Sequence, residues 1–147
     1  MICYLDTSAL VKLYIEEEGS MLVREKVSNA SLVATSKVAY SEARAAFARC
    51  LREGLLDRDS YGKAVSYLNS DWPSFFIMEV TDTVIFKAGG ELIERYALRG
   101  FDAIHMASAV VLAQRVQEDS LVIGCWDNRL FKSLVDYGFY VFPGDIK

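Results

Sequence analysis

Four acidic residues stand where an unpaired carboxylate is expensive, and together they define a chemistry. Asp6 ends the apolar run "MICYLD", and Asp127 ends "LVIGCWD". Glu42 falls on a helical stripe with Val38, Ala39, Ala45 and Ala46, the residues three and four places away. An acid among small apolar neighbours is costly to bury unless it is paired or bound to a cation. Asp102 opens the most apolar helix, in "LRGFDAIHMASA". Oxygen ligands from four separate segments suit a hard cation such as Mg²⁺ or Mn²⁺. Such an ion bridges carboxylates to phosphate oxygens, polarises phosphorus and lowers the pKa of a bound water. The set reads as metal-dependent phosphodiester hydrolysis.

Each acid also has a plainer role. Asp6 and Asp127 are acceptable turn residues, Asp102 is a good helix N-cap, and Glu42 can pair with Arg49 on a solvated face. Capping and metal binding are compatible, because one carboxylate oxygen can accept from the backbone while the other faces a site. Carboxylates about 5 Å apart repel by roughly 3 kcal/mol at an effective dielectric near 20, so at least one pKa in the set should be raised. Glu42, with the least solvent screening in its alanine-rich setting, is expected to carry that strain.

The elements that must position these acids alternate. "MICYLD", "SLVATS", "FFIMEV", "LVIGCWD" and "FYVFP" read as strands. Between them, "TSALVKLYIEEEG", a short helix capped by Ser20, "KVAYSEARAAFARCLREG", "DRDSYGKAVSYLNSDW", "DTVIFKAGGELIERYALRG", "DAIHMASAVVLAQRV" and "NRLFKSLVDYG" read as helices. Gly89 and Gly90 cost their helix about 2 kcal/mol against alanine. Continuous apolar strands alternating with helices imply an α/β fold, a central parallel sheet of four to five strands flanked by helices on both faces. In such a sheet ligands bind beyond the carboxyl ends of the strands, which puts Asp6 and Asp127 on one edge.

A chain of 147 residues without linker or repeat is expected to form one domain, residues 1–147. At 52% hydrophobic it carries more apolar surface than a monomer needs, which points to a protein partner or self-association. No apolar run reaches the roughly 18 residues of a membrane span. Three cysteines, Cys3, Cys50 and Cys125, fit no metal spacing and read as buried free thiols in a reducing cytoplasm. With a single histidine, zinc is a poor candidate. The net charge of −4 argues against non-specific nucleic-acid binding by bulk electrostatics, but not against an enzyme that meets a phosphodiester through a metal.

"YLDTSALVKLY", "ATSKVAYSEARAAFAR", "LRGFDAIHMASA" and "VIGCWDNRLFKSL", in this order and spacing, resemble the PIN domain family, in particular the VapC toxins of prokaryotic toxin–antitoxin pairs. The resemblance runs from Asp6 to the last strand. It implies a PIN-like fold and a Mg²⁺- or Mn²⁺-dependent endoribonuclease that leaves 5′-phosphate and 3′-hydroxyl ends. It also implies a cognate antitoxin that inhibits the enzyme, and a homodimer. By this resemblance Asp6, Glu42, Asp102 and Asp127 are the metal-binding and catalytic acids, and Ser8 is the hydroxyl residue that supports them.

One departure stands out: the family usually has Thr or Ser two places before the last acid, and here that residue is Cys125. A thiol is a weaker hydrogen-bonding group, so Asp127 is expected to be less firmly held. The departure also supports a rival reading, a non-catalytic PIN-like protein-binding module. A phosphotransfer domain using Asp6 as acceptor lacks the lysine or second acid that "LDTS" would have to supply. His105 reads as a packed or capping residue, and Asn128 as the cap of the last helix. Trp126 reads as core packing, with stacking on a base as the alternative. Arg44, Arg49 and Arg52 read as a solvated face, with RNA backbone contact as the alternative.

Overall fold

The computed structural model describes residues 1–117 and 120–144. Five strands form one parallel sheet: β1 (Ile2–Leu5), β2 (Leu32–Ser36), β3 (Phe76–Met78), β4 (Leu121–Gly124) and β5 (Tyr140–Phe142). Their order is β3-β2-β1-β4-β5. The chain runs outward from β1 to β3, then returns to the other side of β1. The carboxyl ends of β1 and β4 therefore flank the point where the winding reverses, the usual crevice for a ligand.

Alternation along the strands separates two apolar layers. Tyr4, Ala34, Leu121 and Ile123 face one layer, while Cys3, Leu5, Val33 and Val122 face the other. The first layer is closed by α5 (Asp82–Lys87) and the turn after it (Ala88 and Leu92), which leads into the exposed α6 (Ile93–Arg95), and by α7 (Gly100–Arg115) and α8 (Asn128–Tyr137). The second is closed by α1 (Thr7–Val11), α2 (Ser20–Asn29), α3 (Val38–Arg52) and α4 (Arg58–Asp71). Ten consecutive or near-consecutive residues of α7, from Ala103 to Ala113, are buried, which is why this helix is apolar on all sides. Among the described residues no helix is long and apolar enough to cross a membrane.

Several boundaries differ from the sequence expectation. The first helix stops at Val11 instead of running to Gly19, because the Lys12 ammonium folds the acidic segment back, donating to Glu17 Oε1 (2.9 Å) and the Glu18 carbonyl (2.7 Å). Ser20 does not cap α2. Its hydroxyl accepts from Glu17 N (3.0 Å) and donates to the Ile15 carbonyl (3.1 Å), closing the loop, while Gly19 occupies the cap position with φ +92°. Gly89 and Gly90 sit in a widened π-type turn, Ala88–Leu92, that joins α5 to α6. Helix α6 ends at Arg95, and α7 begins two residues before Asp102. Cys3 and Cys125 are buried and Cys50 is half-buried, all three free.

Candidate active site

All five residues expected at the site line one cleft of about 350 Å³ at the carboxyl ends of β1 and β4: Asp6, Ser8, Glu42, Asp102 and Asp127. A second cavity of about 500 Å³ opens from the same acids, sharing Glu42, Asp102 and Asp127.

Asp6 follows β1 directly, and its backbone N–H bonds the Gly124 carbonyl of β4 (3.1 Å). The side chain, 3% exposed, caps α1 by accepting from Ala9 N (2.8 Å). Ser8 Oγ donates to the same carboxylate (2.7 and 2.8 Å) and accepts from Trp126 N (2.8 Å). One hydroxyl thus ties the end of β1 to the segment after β4. Burial raises the Asp6 pKa, and the hydrogen bonds from Ser8 and Ala9 offset only part of that.

Glu42 is held from the opposite side. Its Oε1 accepts from Thr7 Oγ1 (2.6 Å) and pairs with His105 Nε2 (3.0 Å). His105, 2% exposed, reaches Tyr4 OH through Nδ1 (2.9 Å). With the tyrosine donating to Nδ1, Nε2 carries the hydrogen and points it at Glu42 and at Thr7 Oγ1 (3.0 Å). Burial alone would raise Glu42. The bonds from His105 and Thr7 outweigh it and bring the pKa below its ordinary value. The expected partner, Arg49, lines the cleft but forms no ion pair with Glu42 among the described residues.

Asp102 is the reverse case. It is the third residue of α7 and not its cap, which is Arg99. Among the described residues no hydrogen-bond donor or cation is paired with its carboxylate. Burial, then the charge of Asp127, then those of Asp6 and Glu42 push its pKa up to about 6, with His105 opposing. The strain expected on Glu42 therefore falls on Asp102, because Glu42 has found buried donors and Asp102 has not.

Asp127, not Asn128, caps α8, accepting from Leu130 N (2.9 Å). Asn128 is exposed and is the first helical residue. Cys125 is fully buried, and its thiol reaches the Asp127 carbonyl (3.5 Å) and lies against the Asp6 carboxylate. Burial pushes that thiol far above its ordinary pKa, so it is no nucleophile. The carboxylate of Asp127 is positioned by its helix.

Other expectations sort by position. Trp126 packs edge-on to Phe142 at 5.8 Å, under the Lys12 ammonium at 4.9 Å, and against Gly19, where a Cβ would lie 2.6 Å from the indole. It is wedged, and packing is its role. Arg44 donates to Tyr40 OH (3.0 Å) in the seam between α3 and α4, and Arg52 is exposed at the end of α3. Of the three arginines only Arg49 lines the cleft. His105 is packed, as its setting in an apolar helix suggests, but its ring also bridges two elements. Tyr4 and Thr7 escaped the sequence reading: Tyr4 looks like any strand residue, while Thr7, next to Asp6, carried at least the signal of its position.

Among the described residues no three Asp, Glu, His or Cys side chains stand close enough to hold one metal ion as they are. The donor chemistry nevertheless fits a hard cation. The oxygens are carboxylates, they share a cleft, and Asp102 has the raised pKa of an acid lacking a counter-charge.

The comparisons with known proteins agree with this geometry. Ribonuclease VapC45 of Mycobacterium tuberculosis is 34% identical over 145 residues, covering 99% of this chain and 97% of that protein. The crystal structure of FitAcB from Neisseria gonorrhoeae superposes with a TM-score of 0.65 at 21% identity, covering 98% of both chains. A toxin–antitoxin complex from Klebsiella pneumoniae superposes with a TM-score of 0.59 at 16% identity, covering 99% of this chain and 96% of that one. The family model of the PIN domain matches residues 3–123, and with a sheet wound to bring Asp6 and Asp127 to one crevice, the chain belongs to the PIN domain family.

Proposed function

We propose that this chain is a divalent-metal-dependent endoribonuclease, the toxin of a toxin–antitoxin pair, working as a single domain in the cytoplasm. The observation that carries the reading is Asp102: a half-buried acid with no counter-charge of its own, facing three further carboxylates across one cleft. Folding around such a cluster makes sense when a cation completes it. Asp6, Glu42, Asp102 and Asp127 would hold the ion, Mg²⁺ or Mn²⁺, and Ser8 would fix the Asp6 carboxylate. When bound, the ion supplies Lewis-acid polarisation of the phosphodiester and a more acidic water. The chain's own contribution is positional. Ser8 and Ala9 N orient Asp6, His105 and Thr7 orient Glu42, and the first turn of α8 orients Asp127. The lowered pKa of Glu42 keeps it ionised and ready as a ligand.

The relatives' names supply the biological setting: a ribonuclease in one case and a toxin–antitoxin complex in another. Transferred to this chain, they point to an RNA substrate and a cognate antitoxin. The apolar side chains left exposed on α5 and α6, Ile85, Phe86 (75% exposed) and Ile93, favour a homodimer. The rival reading, a non-catalytic binding module, leans on Cys125. The buried thiol lies beside the Asp6 carboxylate and the Asp127 carbonyl, and Asp127 is held by its own helix, so the departure leaves all four acids in the cleft and gives that reading little support.

The deciding experiment incubates the purified chain with single-stranded RNA in Mg²⁺, Mn²⁺ or EDTA. Cleavage in either metal, absent in EDTA and absent from Asp102→Asn, is the expected result. RNA left intact by the folded, metal-supplied chain would refute the enzyme reading.

A further inference from the structure

The 500 Å³ cavity beside the acids has walls unlike those of the cleft itself. Arg99, Gly100, Phe101 and Ile104 line it together with Glu42, Asp102 and Asp127. Phe101 is 58% exposed although it belongs to the first turn of the most buried helix. Its neighbour Asp102 turns toward the acids, so one helical turn presents an aromatic face and a site carboxylate side by side. Arg99 is exposed, its side chain pairs with no acid among the described residues, and it caps α7 through its backbone carbonyl alone, accepting from Ala103 N (2.9 Å). Gly100 leaves open space between them, since a Cβ there would meet nothing within 4 Å. The contrast with Trp126 is direct. That indole is closed in by Lys12, Phe142 and Gly19, whereas the Phe101 ring has no stacked aromatic or cationic partner among the described residues.

We propose that Phe101 and Arg99 form a nucleotide subsite next to the acids, in which Phe101 stacks on one base of single-stranded RNA and Arg99 contacts the adjoining phosphate. The proposal rests on the ribonuclease reading and deepens it. An aromatic face beside an acid cluster suits an unpaired base, because stacking tolerates any base and requires it to be unstacked from its neighbours. A free guanidinium at the same rim supplies the cation that a phosphate needs and that the four acids withhold. The cavity is continuous with the acids through Glu42, Asp102 and Asp127, so a strand lying in it places its next phosphate among them. Arg99 forms no ion pair or hydrogen bond with Asp102 among the described residues, which leaves its guanidinium available to a phosphate.

The test separates this subsite from the reading beneath it. Ten-nucleotide RNAs carrying 2-aminopurine at successive positions are titrated with the full chain in EDTA at low salt, where no metal supports cleavage. In the native chain fluorescence should be quenched at one position. Phe101→Ala should restore that signal and weaken binding about tenfold. Phe101→Tyr should keep both, and an abasic ribose at the same position should weaken the native chain while leaving Phe101→Ala indifferent. Arg99→Gln should weaken binding at every sequence and flatten its salt dependence. Equal affinity and quenching for native chain and Phe101→Ala would overturn the subsite. So would a Phe101→Ala chain that loses self-association in sedimentation while binding RNA normally, because Phe101 would then be a contact between copies. Cleavage of the same RNAs in Mg²⁺ or Mn²⁺ judges the enzyme reading separately.

Discussion

Glu42 and Asp102 enter the same cleft from α3 and α7, and their surroundings push them in opposite directions. Both are partly buried, and burial is the largest influence on each. Around Glu42, Thr7 and His105 deliver hydrogen bonds that outweigh it. Around Asp102 the next influence is another negative charge, Asp127, and its pKa settles at about 6. The fastened side of the cleft is stable without a ligand. The free side stores repulsion that a cation would relieve. Preorganisation is thus divided: one half of the site is built by the fold, and the other waits for charge.

The largest expected effect joins the halves. Loss of Asp102 and loss of Glu42 should both remove cleavage if the proposed ion is shared, because it would then need oxygens from each side. Asp102→Asn and Glu42→Gln should each slow metal-dependent cleavage at least about 100-fold, the upper end of what removing even an outer-shell partner costs a metal site. If only one of them does so, the ion belongs to one side and the comparison collapses.

Next in size is the strut behind Glu42. His105→Ala should lower stability by about 3 kcal/mol in denaturant unfolding, since it removes a buried ring and strands both Tyr4 OH and the Glu42 carboxylate. A cost under about 1 kcal/mol would mean the network is incidental.

Stability without metal then sets the halves against each other. Glu42→Gln should lower it by about 1–2 kcal/mol, because the bonds from Thr7 and His105 lose their charge assistance. Asp102→Asn should raise it by about 1 kcal/mol after solvent screening, or about 3 °C in Tm. Thermal melts in EDTA decide the signs, and equal signs would abolish the distinction.

The pH dependence follows the same logic. The folded pKa of Asp102, about 6, lies above its unfolded value of 3.8, so the folded state binds the proton more tightly. Its contribution to stability is fully present below pH 3.8 and is lost as pH rises through 6. Between those limits the native chain should lose stability relative to Asp102→Asn, and the gap should close when Mg²⁺ or Mn²⁺ is added to the native chain. A gap that stays constant with pH would show that Asp102 is not the strained acid.

The smallest effect concerns Cys125. Its thiol lies against the Asp127 carbonyl at 3.5 Å and beside the Asp6 carboxylate, contacts that a threonine hydroxyl can also make, so Cys125→Thr should change cleavage less than about threefold and stability by less than about 1 kcal/mol. A large loss of cleavage in a folded variant would mean that this strand end bears on the free side more than its contacts indicate.

The acids and their common edge could be read from the chain itself. Asp6 and Asp127 close apolar runs, and strand direction alone places them together once the sheet is parallel, as "MICYLD" and "LVIGCWD" imply. The alternation of strands and helices was equally visible, because side-chain period follows from backbone geometry and needs no partner. Boundaries were less visible. The first helix ends at Val11 because Lys12 finds Glu17 and Glu18, and Ser20 closes a loop instead of capping, both contacts that propensity does not contain. The roles within the site depended on the fold entirely. His105 reaches Tyr4 across 101 positions and Glu42 across 63, and Ser8 reaches Trp126 across 118. A sequence can state which residues carry charge and where the chain turns. Whether a carboxylate is relieved or strained depends on the few ångströms around it, and those are filled by segments that meet only when the sheet has closed.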